Sequence, residues 1–132
     1  MSVKSKLMQA GLAAAASTNI VGTVANNLSA AGTSQSTALL LSTDDIQIFT
    51  TVGSGSANCC VISPGVSSAT SPYSAGDEIT IVNHGGQTLN VYPQSGGKIA
   101  NGSLNAAVTI SNTKTGFLFC IDGTNWAFSV SA

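Results

Sequence analysis

Residues 76–99 read GDEITIVNHGGQTLNVYPQSGGKI, and this stretch decides the fold class. Ile79 and Ile81 alternate with Thr80 and Val82, and Leu89 and Val91 alternate with Asn90 and Tyr92. That period of two places successive side chains on opposite faces of a strand. His84-Gly85-Gly86 lies between the two runs, and glycine tolerates the positive φ that tight hairpin connections require. The two runs are therefore expected to pair as a hairpin. Pro93 cannot donate to a ladder and ends the second run, and Gly96-Gly97 opens another reversal before Lys98 and Ile99.

Outward from this block, strand candidates recur at short intervals, over 37–41, 46–52, 58–62, 78–83, 87–92, 107–110, 116–121 and 126–130. Their separators carry turn chemistry, among them Asp44-Asp45, Gly53-Ser54-Gly55, Ser63-Pro64-Gly65, Asn101-Gly102, Ser111-Asn112 and Asp122-Gly123. About eight short strands predict an all-β fold, a jelly-roll-like or other β-sandwich, over 33–132. Asp122-Gly123 is expected to close a terminal hairpin. Phe117, Phe119 and Ile121 would share one strand face, and Trp126, Phe128 and Val130 another; both sets read as core.

The first 32 residues differ from the rest and read as an N-terminal arm. Lys4 and Lys6 precede Leu7, Met8, Leu12 and an alanine run over 13–16, a pattern compatible with a short helix that Gly11 weakens. The same segment imitates an export signal, but Gln9 and Gly11 interrupt its apolar stretch, so a retained arm is the reading adopted. From 19 to 32 the chain is rich in Asn, Ala and Gly, with Val21, Val24 and Leu28 too sparse for a helix, and is expected to run extended or irregular over a surface. No run approaches the roughly 20 apolar residues that span a bilayer, so no membrane partner is expected.

A chain of 132 residues is one domain by size, and its 43% apolar content is enough to build a core. Charged residues make up only 7%, against about 25% in ordinary soluble domains, and that deficit falls on the surface. There is no arginine, and the 4 lysines are dispersed, so the electrostatic footprint of a nucleic-acid binder is missing. A net charge of −1 removes the repulsion that keeps copies apart, which favours self-association.

Reactive groups form no catalytic constellation. His84 is the single histidine and sits in a glycine turn. Cys59 and Cys60 are adjacent, so on a strand they point apart, and with Cys120 they do not give zinc spacing; small buried thiols are expected. Asp44 with Asp45 and Asp77 with Glu78 diverge on extended backbone, which suits turns and strand entries better than acid–base chemistry. Gly53-Ser54-Gly55-Ser56-Ala57 lacks the GxSxG spacing of a nucleophile elbow, and Gly96-Gly97-Lys98 is followed by Ile99 where a phosphate loop needs Ser or Thr. No enzymatic activity, cofactor or metal is expected.

With these residues in view, the chain resembles a known group. The opening MSVKSKLMQAGLAAA, the stretch NNLSAAGTSQSTALLL over 26–41, the block over 76–99 and the closing Asn125-Trp126 are similar to small virion proteins of tailed bacteriophages. The most specific part is the GDxIxIVN and LxVYPxxGGxI run, and the likeness is strongest to the capsid decoration, or cement, proteins of that group. Related β modules recur in tails and fibres. The resemblance implies a β-sandwich or jelly roll, a homotrimer seated on the major capsid protein where capsomers meet, and an arm reaching a neighbour. Localisation on the capsid surface of the virion follows from the same likeness. Leu7, Met8, Leu12, Ile20 and Val21 are the candidate arm contacts, with packing on their own domain as the other use of those side chains. The alternative is a tail or fibre module adsorbing to a host glycan, for which Tyr73, Tyr92 and Trp126 are the aromatic candidates.

Overall fold

The computed structural model describes residues 23–132. It is all-β over that range, with ten strands: β1 (Val24–Ser29), β2 (Leu39–Leu40), β3 (Ile46–Thr51), β4 (Cys59–Val61), β5 (Glu78–Asn83), β6 (Leu89–Tyr92), β7 (Lys98–Ile99), β8 (Val108–Ile110), β9 (Thr115–Cys120) and β10 (Asn125–Val130). The expected strands coincide with eight of these to within two residues at either end, and β1 and β7 are additional. Residues 1–22 of the expected arm, with the short helix and with Leu7, Met8, Leu12, Ile20 and Val21, lie outside the described residues.

The strands form two mixed sheets, one of six in the order β1-β3-β5-β9-β10-β7 and one of four in the order β2-β4-β6-β8. From β1 to β6 the chain alternates between them, odd-numbered strands entering the large sheet and even-numbered strands the small one. Each strand therefore lies parallel to the one two places earlier, and five of the eight ladders are parallel. Parallel neighbours need a long crossover, and here the crossover is a strand in the opposite sheet rather than a helix. The remaining ladders, β5·β9, β6·β8 and β9·β10, are antiparallel. Both sheets feed one hydrophobic cluster: Phe49, Ile79, Ile81, Leu118 and Trp126 from the large sheet face Cys60, Leu89, Val91 and Ile110 from the small one.

This topology corrects the expected hairpin. β5 pairs with β3 and β9, β6 pairs with β4 and β8, and the two do not pair with each other. His84-Gly85-Gly86 is a corner that carries the chain from one sheet to the other. Asn83 organises it from within the core: its Nδ2 donates to the carbonyls of Gln87 and Ile110, both at 2.8 Å, and its Oδ1 accepts from the Gly85 amide at 2.9 Å. The corner also docks on the end of β3, where His84 N–H donates to Phe49 O and Val52 N–H to Gly85 O. Gly85 has to be glycine here because a Cβ would sit 2.3 Å from Val52 Cγ2. Alternating apolar residues fix that a segment is a strand, but a hairpin and a sheet-to-sheet corner carry the same alternation.

β1 corrects the irregular surface run expected over 19–32. It pairs with β3 from Val24↔Ile46 to Ser29↔Thr51, with register shifts around Leu28, and Asn27 adopts a φ of 58°. Those irregularities break the period of two, so its burial does not alternate.

Replacing Asn83 by Ala would remove three hydrogen bonds at the corner, of which the one to Ile110 O is fully buried, and a lost bond of that kind costs roughly 1–3 kcal/mol. Asn83→Ala is expected to lower the unfolding free energy by about 3 kcal/mol, read as a lower urea midpoint at unchanged m-value. A change below about 0.5 kcal/mol would show that Asn83 does not hold the corner.

Candidate interaction surface

The terminal hairpin forms as expected, but its register reverses the expected facing of β9. Trp126 lies opposite Cys120, Phe128 opposite Leu118 and Val130 opposite Gly116. Cross-strand partners share a face, so Trp126 and Phe128 cannot point inward together with Phe117 and Phe119. Trp126 wins the interior: it is 1% exposed, its Nε1–H donates to Gln94 Oε1 at 3.2 Å, and its ring meets Tyr73 edge-on with centroids 5.0 Å apart. Leu118 and Cys120 are buried on the same face. Gly116 completes it, because a Cβ there would sit 2.4 Å from Ile110 Cδ1. Phe117, Phe119 and Ile121 consequently point outward, at 37%, 40% and 58% exposure.

These phenylalanines lie in register with a broad apolar surface. One row crosses five strands as Val24, Ile46, Thr80, Phe117 and Ser129. A second row holds Ile48, Val82 and Thr115, and a third Glu78, Phe119 and Ala127. Ile46, Ile48 and Val82 are half-buried, and Val24 is exposed. Glu78 is the single charge in the three rows. The outward side of the small sheet differs: Cys59 and Val61 point away from the core yet are buried, since Ala31 bridges to Cys59 and Gly65 lies against Val61. A cavity of about 230 Å³ lies at its edge beside Leu40, Pro64 and Val66.

The other candidate groups are dispersed. His84 is exposed on its corner. Asp44 accepts from Ser42 Oγ at 2.6 Å, and hydrogen bonds from Ser42 and then Thr23 hold its carboxyl below the usual range. Asp77 accepts from Ser74 N–H at 2.8 Å. Asp122 takes the Asn125 side chain at 2.7 Å and the Asn125 amide at 2.9 Å, and these bonds lower its pKa. All three carboxylates are engaged in turns. Beside Asp122 a cavity of about 290 Å³ is lined by Lys98, Asn101, Ile121, Asn125 and Trp126. Of the aromatic candidates for glycan stacking, Trp126 is buried, and Tyr73 and Tyr92 are half-buried. No group of three or more His, Cys, Asp or Glu side chains is placed to hold a metal among the described residues, and no helix among them is long and apolar enough to cross a membrane.

Cys59, Cys60 and Cys120 are free and buried, and burial pushes the Cys59 and Cys60 thiols up, Cys60 further because Cys59 adjoins it. Comparison of the chain with protein-family models, with curated proteins and with solved structures found no match.

Two measurements follow from these side chains. A thiol reagent should find the native protein unreactive over minutes and titrate three thiols after unfolding; rapid native labelling would contradict the burial. Burial, reinforced by the charges of Asp45, Asp77 and Asp44, pushes the Tyr73 phenol up to about 12 from 10.0. Because the folded pKa is raised, the stability from keeping the phenol neutral is whole below pH 10 and is lost as pH climbs toward about 12. The Tyr73 hydroxyl has no hydrogen-bond partner among the described residues, so Tyr73→Phe should leave stability at pH 7 intact and lessen the alkaline decline in urea midpoint, to which the raised Cys59 and Cys60 thiols also contribute. An equal decline in the variant would place its cause elsewhere.

Proposed function

We propose that this chain is a structural virion protein that binds the outside of a bacteriophage capsid as a homotrimer and cements neighbouring capsomers. The observation that carries the reading is the apolar outer face over β3, β5, β9 and β10, uncovered among the described residues, with Phe117 and Phe119 at its centre and the charges of Glu78 and Lys98 at its margin. An apolar face of this extent on a chain with net charge −1 is built for burial against protein. The two sheets stack as a β-sandwich in this reading, and the likeness to decoration proteins over 76–99 supports it from the sequence side.

Cementing is binding rather than turnover. Each apolar side chain buried at a contact contributes roughly 1.5–3 kcal/mol, and three linked copies add avidity, so a few contacts per copy hold neighbouring capsomers together. Leu7, Met8, Leu12, Ile20 and Val21 are the proposed contacts with the major capsid protein. A tail or fibre module adsorbing to host glycan is the second reading. The cavity beside Lys98, Asn101 and Asn125 is the observation on its side, because amides and an ammonium suit sugar hydroxyls.

Counting copies of the chain in purified particles and locating them by cryo-electron microscopy tests the reading. Hundreds of copies on the outer shell are expected. Density confined to the tail would overturn the capsid role, and glycan-array binding by the isolated protein would then support the second reading.

A further inference from the structure

We infer that in the free protein residues 1–22 cover the outer face of the chain's own large sheet, with Leu7 and Met8 set against Phe119 and with Lys4 and Lys6 beside Glu78. Covering its own face in this way is a property of the free chain, independent of the capsid reading above. On a shell the same arm side chains would exchange this face for the capsid. The point of entry and the placement of charge argue for this occupant.

The segment joins the sheet where the apolar face begins. Thr23 O accepts from Ile46 N–H, and Val24, the first residue of edge strand β1, is exposed in the outward row that continues through Ile46, Thr80 and Phe117. From β1 to β9 is three strand spacings, about 14 Å. The chain between Met8 and Val24 bridges about 24 Å even at the rise of a helix, so Leu7 and Met8 reach β9 from the edge. A segment tethered there meets the face at an effective concentration on the order of millimolar, an advantage that no separate molecule at micromolar concentration has.

Charge selects the part of the face that is covered. β1, β3 and β5 run parallel, so they begin at one end of the sheet. Asp44 and Asp45 precede β3, and Asp77 and Glu78 stand at the start of β5, so four of the chain's five carboxylates gather at that end. Asp44 is hydrogen-bonded to Thr23 at the arm's point of entry. The lysines of the described residues stand apart from this cluster: Lys98 is on β7 at the opposite edge, and Lys114 precedes β9 at the other end. Residues 1–22 supply Lys4 and Lys6 and no carboxylate. A segment both basic and apolar therefore gains twice at this corner of the face, where a neutral or acidic one does not. Glu78 points outward and is the cross-strand neighbour of Phe119. Lys6 beside Glu78 thus brings Leu7 and Met8 onto the Phe119 ring.

The apolar groove on the small sheet competes poorly for the same segment. It is lined by residues such as Leu40, Pro64 and Val66, none of its lining residues is charged, and it offers the two lysines no partner.

The test is paramagnetic relaxation on the full chain with a nitroxide attached at Ser5→Cys, since Cys59, Cys60 and Cys120 are buried and leave the new thiol to react alone. Amide broadening is expected to be strongest at Glu78 and Phe119 and to fall off toward Leu40 and Val66 on the small sheet. A mixture of nitroxide-bearing chain without isotope and isotope-enriched chain without nitroxide is expected to show none, because each arm covers its own sheet. Adding Lys4→Glu/Lys6→Glu to the labelled chain should cut the broadening at Glu78 roughly two-fold or more, and these substitutions lie outside the strands. Broadening that is absent, or strongest at Val66, overturns the inference. So does broadening in the mixture, since a second copy's arm would then be the occupant, and so does a charge-reversed variant that broadens Glu78 undiminished. Binding to empty capsid shells is measured in parallel. A chain that shows the expected broadening but ignores shells sinks the capsid reading alone, whereas one that seats on shells without broadening in free solution sinks this inference alone.

Discussion

The inward placement of Trp126 is the constraint from which the rest of the large sheet follows. Its ring is 1% exposed, its indole N–H is held by Gln94, and Gln94 in turn donates to Gly123 O at 2.6 Å in the turn that precedes β10. Truncating a buried aromatic of this kind costs about 3–5 kcal/mol, more than any outward-facing residue of the hairpin supplies. With Trp126 inside, the β9·β10 register sends Cys120, Leu118 and Gly116 inward. The β5·β9 register then sends Ile79 and Ile81 inward, and β3·β5 does the same for Gln47 and Phe49. One parity thus runs from the last strand to the third, and the outer face is its complement.

The parity has to be reconciled with a chain that changes sheets at every step from β1 to β6. Corners do that work, and they are polar where the core is not. Asn83 is fully buried and bonded at the β5–β6 corner. Gln47, also fully buried, donates from Nε2 to the carbonyls of Ser42 and Asp44 where the chain enters β3. In each case a side-chain amide supplies partners that turning backbone lacks, although Gln47 Oε1 is itself buried with no hydrogen-bond partner among the described residues. The two sheets then close on one core, and the outer face of the large sheet remains as the extended apolar surface.

Much of this was legible in the sequence. Turn residues and the period of two locate eight strands, and Asp122-Gly123 does close a hairpin whose strands are β9 and β10. What could not be read were relations between strands. The Ile79–Val91 region alternates identically whether its two strands pair or lie in opposite sheets, so the hairpin expected there is a corner. β1 escaped because a bulge near Asn27 spoils its alternation, and β7 because two residues have no period. The facing of Phe117 and Phe119 was hidden for a related reason: β9 reads Gly-Phe-Leu-Phe-Cys, apolar on both faces, and which face is buried depends on a partner strand. The exposed outer face was thus written in the sequence as core.

The outer face of the large sheet bears on function. A chain this poor in charge has little to keep copies apart, and its outer sheet carries aromatic side chains where solvent would ordinarily select polar ones. Both properties suit a protein that holds an assembly together. The central claim is the parity set by Trp126, and the most direct measurement is the set of nuclear Overhauser contacts made within one copy by the Phe117 and Phe119 rings, using mixed isotope labelling to exclude contacts between copies. Contacts to Thr80, Ala127 and Ser129, with none to Leu89, Val91 or Ile110, are the predicted result. Ring contacts to Leu89, Val91 or Ile110 would place the phenylalanines in the core and contradict it.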